Sequence, residues 1–146
     1  MKIFIGSDHA GYNLKTSLKE FLLVAGHEVE DLGVDNAEVK ADYPDSAKKV
    51  GEAVAASSDS RGVLVCGSGV GMCIAANKID GIRAVNVDNV EIAKMSRLHN
   101  DANVICFGER MVSEEVAKEA LSIFLSTEFE GGRHASRVEK ISQMEK

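Results

Sequence analysis

The 146-residue sequence has no excess of basic residues, and its formal net charge is −6 at pH 7. A surface that binds nucleic acid or an anionic membrane needs the opposite balance, so we expect neither partner. No apolar stretch approaches the length of a membrane span, and the apolar run in residues 1–6 is too short for a signal peptide. We therefore expect a cytoplasmic protein in which any anionic ligand is bound by a local cluster of side chains.

Cysteine motifs typical of metal or redox sites are also absent from the sequence. Cys66, Cys73 and Cys106 form no C-x-x-C pair, and three cysteines cannot all pair with one another. This usage indicates free thiols in a reducing cytosol. The sequence likewise lacks repeats, low-complexity tracts and a domain boundary, and its length is sufficient to bury a core. We expect a single domain over residues 1–146.

Short apolar segments alternate with amphipathic segments along the whole chain. Leu14, Leu18 and Leu22 illustrate the helical spacing of the amphipathic segments, and a final helix is predicted from about residue 135. The predicted strands cover residues 3–5, 27–32, 63–66, 82–87 and 104–107. This alternation predicts an α/β fold, a three-layer α/β/α sandwich around a Rossmann-like five-stranded parallel sheet.

Helical spacing also predicts which helix residues face the sheet. They are Leu14, Leu18, Phe21, Leu22 and Ala25 in the first helix, Ala47, Val50, Val54 and Ala55 in the second, Ile92, Ala93, Met95 and Ser96 in the fourth, and Val116, Ala120, Ile123 and Phe124 in the fifth.

Ligands of parallel α/β sheets bind beyond the carboxyl ends of the strands, which draws attention to the residues that follow each predicted strand. These are Asp8 and His9 after the first strand, residues 66–71 after the third, Asp88 after the fourth, and Glu109 and Arg110 after the fifth.

The third strand runs into a loop with three glycines, Gly67, Gly69 and Gly71. Glycine permits positive φ and close backbone approach, so this loop can direct several N–H groups at one anion. The loop is not a P-loop, because no Gly-Lys-Ser/Thr follows. It partly matches the dinucleotide fingerprint, with Asp88 at the expected distance, but Met72 replaces the third small residue. The loop also follows the third strand rather than the first, and the chain lacks a second half to hold a nicotinamide.

Two interpretations of Cys66 are open on position alone. It is either a small apolar filler, as we expect for Cys73 and Cys106, or a base or nucleophile whose thiolate is favoured beside a helix N-terminus. Ser68 is either a hydrogen-bond donor within the loop or a turn former.

A second candidate cluster lies near the C-terminus. Arg133 and Arg137 are four residues apart and share a face if a helix has begun there, which in an acidic chain suggests a phosphate clamp. The alternative is a solvated helix start. His99 and Asn100, at a predicted helix end, are either a capping pair or part of a catalytic site.

Seven segments together resemble one known family. They are GSDHAG at 6–11, DYPD at 42–45, CGSGVG at 66–71, AANK at 75–78, GIRA at 81–84, SRLHNDAN at 96–103 and EGGRH at 130–134. The family is that of the type B ribose-5-phosphate isomerases, which also contains galactose-6-phosphate isomerase subunits and allose-6-phosphate isomerases. The resemblance runs in order through essentially all 146 residues.

This resemblance implies an enzyme that interconverts ribose 5-phosphate and ribulose 5-phosphate without a metal or other cofactor. Cys66 would move the proton between the first two sugar carbons through a cis-enediolate. The N–H groups of residues 67–71, with Ser68, would hold the developing oxyanion, a role that suits a preorganised glycine loop. His99 would open the furanose ring with help from Asp8.

The resemblance also implies how the rest of the substrate is bound. The enzyme would be a homodimer or tetramer with active sites shared between subunits, acting in the pentose phosphate pathway. Arg133, Arg137, His9 and Arg110 would bind the phosphate, Tyr43 and Asn100 would line the sugar pocket, and Gly67, Gly69, Val70 and Gly71 would contact the substrate through their backbone.

Two departures and two alternatives accompany this interpretation. Ser68 stands where threonine is common, and Ala75 lies in the region where relatives without the cysteine use a glutamate. A hexose 6-phosphate such as allose or galactose 6-phosphate is the alternative substrate. A non-catalytic nucleotide-binding or receiver domain is the alternative of another class, but a receiver should have an acidic residue and a lysine where this sequence has Cys66 and Glu109.

Overall fold

A computed structural model describes residues 1–145, so residue 146 of the predicted domain lies outside the described residues. Within this range the chain forms five strands, six α-helices and a short 3₁₀-helix at His9–Gly11. The strands are β1 (Lys2–Ser7), β2 (Glu28–Asp31), β3 (Ser60–Cys66), β4 (Ala84–Asn86) and β5 (Val104–Gly108). The helices are α1 (Tyr12–Val24), α2 (Tyr43–Ala55), α3 (Val70–Ala76), α4 (Val90–Asn100), α5 (Glu114–Ser126) and α6 (Arg133–Ser142).

The strands form one parallel sheet in the order β2-β1-β3-β5-β4. Helices α1, α4 and α5 pack on one face of the sheet, and α2 and α3 pack on the other. The three-layer, Rossmann-like α/β fold predicted from the sequence is therefore confirmed. Among the helices of residues 1–145, none combines the length and apolar character needed to cross a bilayer.

Alternation along β3 determines where its last residue points. Val63 and Val65 face the layer of α1, α4 and α5, whereas Leu64 and Cys66 face the layer of α2 and α3. Cys66 is therefore buried under α2 and α3, with 4% of its surface exposed.

Several predicted core positions are wrong, most clearly in α4. Ile92 and Met95 are 41% and 39% exposed, because α4 packs through Ala93, Ser96 and Arg97 instead. The other departures are Ala25 and Ala55, which are exposed, and Val116 and Ile123, which are half-buried. Phe21 is also half-buried but packs against the core as predicted.

Element boundaries also differ from the predictions, and three of these differences have a clear structural cause. Strand β3 begins at Ser60, three residues earlier than expected, because Ser60 pairs with Lys2 of β1. Strand β4 is shorter than predicted, since the N–H of Ile82 bonds to the carbonyl of Ile79 in a preceding turn. Helix α6 begins at Arg133 rather than near residue 135, directly after Gly132 with φ of 53°.

A buried lysine connects α1 to the edge strand β2. Lys15 is 2% exposed, and its Nζ lies 2.9 Å from Asp31 Oδ2 and donates to the carbonyl of Val34 at 2.9 Å. Burial raises the pKa of Asp31, but hydrogen bonds from Lys15 and the Gly33 N–H outweigh that effect and hold the pKa below its usual value. The pair therefore stabilises the fold in the ionised form.

We predict that Lys15→Met destabilises the protein by about 1–3 kcal/mol, because Asp31 loses its buried partner. The pKa of Asp31 is depressed in the folded state, so its contribution is present above the unfolded value, about 4, and is lost as the pH falls through the folded value. Urea denaturation should show this acid-side loss in the wild type and a flatter profile in Lys15→Met.

The matched control for this prediction is Lys48→Met, since Lys48 pairs with Glu52 at a fully exposed site. That change should cost much less than Lys15→Met, because an exposed ion pair contributes little to stability. In the Lys15→Met background, adding Asp31→Asn should cost much less than it does alone. Equal costs for the two lysine variants would show that the buried pair contributes no more than the exposed one.

Candidate active site

The carboxyl ends of β1 and β3 form a crevice where the chain changes direction across the sheet. From β1 the chain moves outward to β2 and then crosses back to β3 on the other side of β1. The N–H of Asp8, just after β1, donates to the carbonyl of Val65 in β3 at 3.3 Å. This contact places Asp8 beside Cys66, at the position where parallel α/β sheets bind ligands.

The glycine loop curls back over the end of β3 and holds the Cys66 sulfur. The N–H of Gly69 donates to Cys66 Sγ at 3.1 Å, and Gly69 adopts φ of 81°. Gly108, at the end of β5, packs so closely that a Cβ there would lie 2.4 Å from the carbonyl carbon of Ser68. The loop is therefore fixed by backbone contacts, which supports a preorganised site.

Two side chains that are distant in sequence lie against this loop. The guanidinium of Arg110 covers Gly67, where an added Cβ would be 2.6 Å from Nη1. The ring of Tyr43, at the start of α2, covers Gly71, where an added Cβ would be 2.5 Å from Cε1. The absence of a Cβ at Gly67 and Gly71 is thus what allows Arg110 and Tyr43 to approach the loop.

Asp8 and His9 are held by backbone partners at the same edge. Asp8 is 6% exposed, and its Oδ1 accepts the N–H of Gly11 at 3.0 Å, which caps the 3₁₀-helix. The Nδ1 of His9 lies 3.1 Å from the backbone nitrogen of Ala41 and 3.3 Å from the carbonyl oxygen of Ala41, which fixes the ring. Together with Tyr43, residues 66–71 and Arg110, these two residues form what we call the loop cluster.

Glu109 and the two other cysteines have structural contacts near the loop cluster. Glu109 Oε1 accepts the N–H of Leu14 at 2.7 Å, which ties β5 to α1. Cys106 is fully buried in the core, as expected for an apolar filler, and Cys73 packs beside it, half-buried. The hydrogen bond with Cys106 lowers the pKa of Cys73 to about 7.

His99 and Asn100 lie at the opposite end of the strands from Cys66. They end α4, and Arg83, which immediately precedes β4, donates from Nε to the carbonyl of Asn100 at 2.9 Å. The end of α4 is therefore near the amino ends of the strands. A five-residue strand such as β5 spans about 15 Å. One chain does not bring His99 to the Cys66 sulfur.

His99 instead stacks on a histidine of α6. The rings of His99 and His134 are 4.4 Å apart between centroids and inclined by 16°. His134 is 6% exposed, and burial, followed by the charge effects of His99 and Arg133, lowers its pKa. Arg133 and Arg137 are exposed on the same helix. We call His99, Asn100, Arg133, His134 and Arg137 the histidine cluster.

A buried arginine holds the histidine cluster together. Arg97 is 3% exposed and donates from Nε to the carbonyl of Thr127 at 3.0 Å and from Nη1 to Asp101 Oδ1 at 2.8 Å. Thr127 directly follows α5, so these bonds anchor the end of α4 to the segment that leads into α6. Sequence reasoning missed both Arg97 and the stacking role of His134, although the SRLHNDAN and EGGRH segments contain them.

Exposed apolar residues flank the edge strand β4. Val70 and Ile74 of α3 are 51% and 59% exposed, and Met144, after α6, is 82% exposed. A cavity of about 850 Å³ lies beside β4, lined in part by Val85, Ile141 and Met144. This side of the chain presents both an apolar surface and a recess.

The fold is one that α/β sugar-phosphate isomerases share. A family model described as Ribose/Galactose Isomerase matches residues 3–141, and the chain belongs to this family. The ribose-5-phosphate isomerase B of Escherichia coli is 46% identical, with 99% of this chain and 96% of the relative covered. A D-erythrulose-4-phosphate isomerase of Pectobacterium atrosepticum is 40% identical, with 99% and 95% covered.

Two solved structures of ribose-5-phosphate isomerase B share the fold over nearly their full length. The protein from Clostridium thermocellum is 50% identical with a TM-score of 0.95, and 99% of this chain and 97% of that chain are covered. The protein from Mycoplasma genitalium, with bound ribulose-5-phosphate, is 41% identical with a TM-score of 0.94 and coverage of 98% and 95%. The family resemblance found in the sequence is confirmed.

We predict that Gly69→Ala destabilises the protein by at least about 1–2 kcal/mol, because its left-handed backbone penalises a side chain. Its Cβ would also lie 2.3 Å from Asn86 Oδ1 and 2.9 Å from the carbonyl carbon of Phe107. Gly67→Ala is the matched control, since Gly67 has no positive φ and its nearest neighbour is the movable end of Arg110. Urea denaturation of both variants tests this; similar losses would contradict it.

Proposed function

We propose that this protein is an aldose–ketose isomerase that interconverts ribose 5-phosphate and ribulose 5-phosphate. The observation that carries the proposal is the buried Cys66 sulfur beneath a fixed glycine loop, in a chain whose family includes a structure with bound ribulose-5-phosphate. The reaction would need no metal or other cofactor. Such an enzyme would act in the cytoplasm, in the pentose phosphate pathway.

Cys66 would be the base of the proton transfer. Its thiolate would remove the proton from C2 of the open-chain aldose, the electron pair would form the C1–C2 double bond, and negative charge would develop on O1. The C2 hydroxyl proton would pass to O1, and return of the carbon-bound proton from Cys66 to C1 would then give the ketose, with the C2 oxygen as its carbonyl. Catalysis by this route requires donors at the developing oxyanion rather than at the ground-state carbonyl.

The glycine loop would supply these donors. The N–H groups of Gly69 and Val70 bond to Cys66 and to Ser68 Oγ within the loop. Ser68 accepts this bond at 3.2 Å, so its own hydroxyl proton is available to a ligand. The N–H groups of Gly67, Ser68 and Gly71, with that hydroxyl, would therefore hold the enediolate, while Gly69 and Val70 would line the site and fix the base.

The remaining steps would need the histidine cluster of a second chain. One subunit would supply His99 to open the sugar ring, Arg133 and Arg137 to bind the phosphate, and Asn100 to line the pocket. His9, Arg110, Tyr43 and Asp8 would contribute from the other subunit. The two clusters lie at opposite ends of the strands of one sheet, which supports this shared site. The apolar surface beside β4 supports a homodimer, and two dimers can pair into a tetramer.

A substrate panel tests the reaction and the substrate together. We expect the highest kcat/KM for ribose 5-phosphate, with lower values for allose 6-phosphate, galactose 6-phosphate and erythrulose 4-phosphate. A higher kcat/KM for a hexose or tetrose phosphate would refute the ribose 5-phosphate assignment and leave the isomerase reaction in place. Stabilisation by ATP without turnover of any sugar phosphate would favour a nucleotide-binding module instead.

We predict that Cys66→Ala lowers kcat for ribose 5-phosphate isomerisation by at least about 10³-fold, because the site loses its base. Binding of the sugar phosphate should be nearly unchanged, as calorimetry with ribose 5-phosphate would show, since other side chains would hold the phosphate. Cys73→Ala, at a half-buried cysteine outside the loop, is the control and should retain activity. Near-normal turnover by Cys66→Ala would refute the assignment of the base.

A mixing experiment tests the shared active site. Cys66→Ala and His99→Asn should each be inactive as pure proteins. After the subunits are mixed and exchanged, half of the dimers are mixed and each holds one intact site, so about a quarter of the wild-type activity should return. Differently tagged chains would verify the exchange. No recovery in verified mixed dimers would mean that both residues act from the same chain.

A further inference from the structure

Three side chains of types that can bind metals converge near the end of α4. One ring nitrogen of His99, one of His134 and a carboxylate oxygen of Glu130 all lie within 4.8 Å of one another. Glu130 lies four residues before His134, with Oε1 3.9 Å from Nε2, and its N–H donates to the carbonyl of Leu98 at 3.1 Å. Two imidazoles and one carboxylate are the donor set of open zinc sites, which leave a fourth position for water.

We propose that His99, Glu130 and His134 bind a divalent transition-metal ion of the zinc class, and that this ion inhibits the enzyme by sequestering His99. Metal binding by these residues is independent of the proposed isomerase activity. The inhibition rests on the proposed function, because His99 must be needed for turnover. The ion would act against the reaction rather than as a cofactor in it.

A modest local movement would complete this site. Zinc–nitrogen bonds of about 2.0–2.1 Å place tetrahedral ligands about 3.4 Å apart, so the three atoms must approach one another by up to about 1.4 Å. Imidazole binds metals in the plane of its ring, which the His99–His134 stack does not allow for both rings. His134 is buried, whereas His99 is half-exposed, so His99 is the ring that would turn. Binding would therefore take His99 out of its stacked position.

Two arginines oppose the ion and limit its affinity. Arg133 Nε lies 3.5 Å from His134 Nε2, a long hydrogen bond that a metal would displace, and Arg137 follows one turn later. Arg133 is exposed and can move into solvent. We therefore expect reversible binding that is weaker than that of a structural zinc site.

Calorimetric titration with ZnCl₂ at neutral pH tests the site directly. We expect one ion per chain in the wild type and an affinity at least about tenfold lower in Glu130→Gln, which keeps the shape and loses the charged ligand. Glu128→Gln, at a neighbouring exposed position, is the matched control and should bind as the wild type does. Cys66→Ala should also retain binding, and bound Co²⁺ should show no thiolate charge-transfer band. Unchanged affinity in Glu130→Gln, or thiolate ligation, would overturn the site.

Turnover measurements separate the site from its consequence. Zn²⁺ should inhibit the wild type and Glu128→Gln reversibly, with activity restored by EDTA. Inhibition of Glu130→Gln should need a Zn²⁺ concentration about tenfold higher or more. Binding without inhibition would overturn the inhibitory role and leave the site intact. If the chain turned over no sugar phosphate, the proposed function would fail, and the calorimetric result would still stand.

Discussion

The parallel direction of the five strands is the constraint on which both clusters depend. Each helix returns the chain against the strand direction. Residues that follow a strand therefore lie at the carboxyl ends of the strands, and residues that end a helix lie at the amino ends. Cys66 follows β3, and His99 ends α4. The two groups that the proposed chemistry needs are therefore separated by the length of the strands, so that chemistry would require the association of two chains.

The sequence pattern was sufficient to predict the sheet and every member of the loop cluster except Tyr43, which only the family resemblance supplied. Strand ends can be read from apolar runs that stop at Gly6, Cys66 and Phe107, and the parallel arrangement then places the residues that follow them at one edge. Position in the sequence alone could therefore group Asp8 with Cys66. It could not show that Gly67 and Gly71 lie under Arg110 and Tyr43, because those contacts depend on loop conformation.

The histidine cluster was harder to predict because it depends on tertiary hydrogen bonds. Helical periodicity assigned Ile92 and Met95 to the core, but α4 buries Arg97 instead, and that guanidinium finds its partners at Thr127 and Asp101. A buried arginine is expected only when its donors are satisfied. Asp101 follows Arg97 at helical spacing, but no spacing rule reveals Thr127, thirty residues away. The stack of His99 on His134 follows from this anchoring.

The two edges of the sheet differ in how they resist uncontrolled pairing. Strand β2 exposes Glu28 and Glu30, and the charges there discourage another strand from adding to that edge. Strand β4 is flanked by apolar side chains and contains no charged residue. Only its length of three residues limits pairing with another strand. Edge-to-edge aggregation of a separated chain would therefore begin at β4, and burial of this edge in an assembly would serve solubility as well as activity.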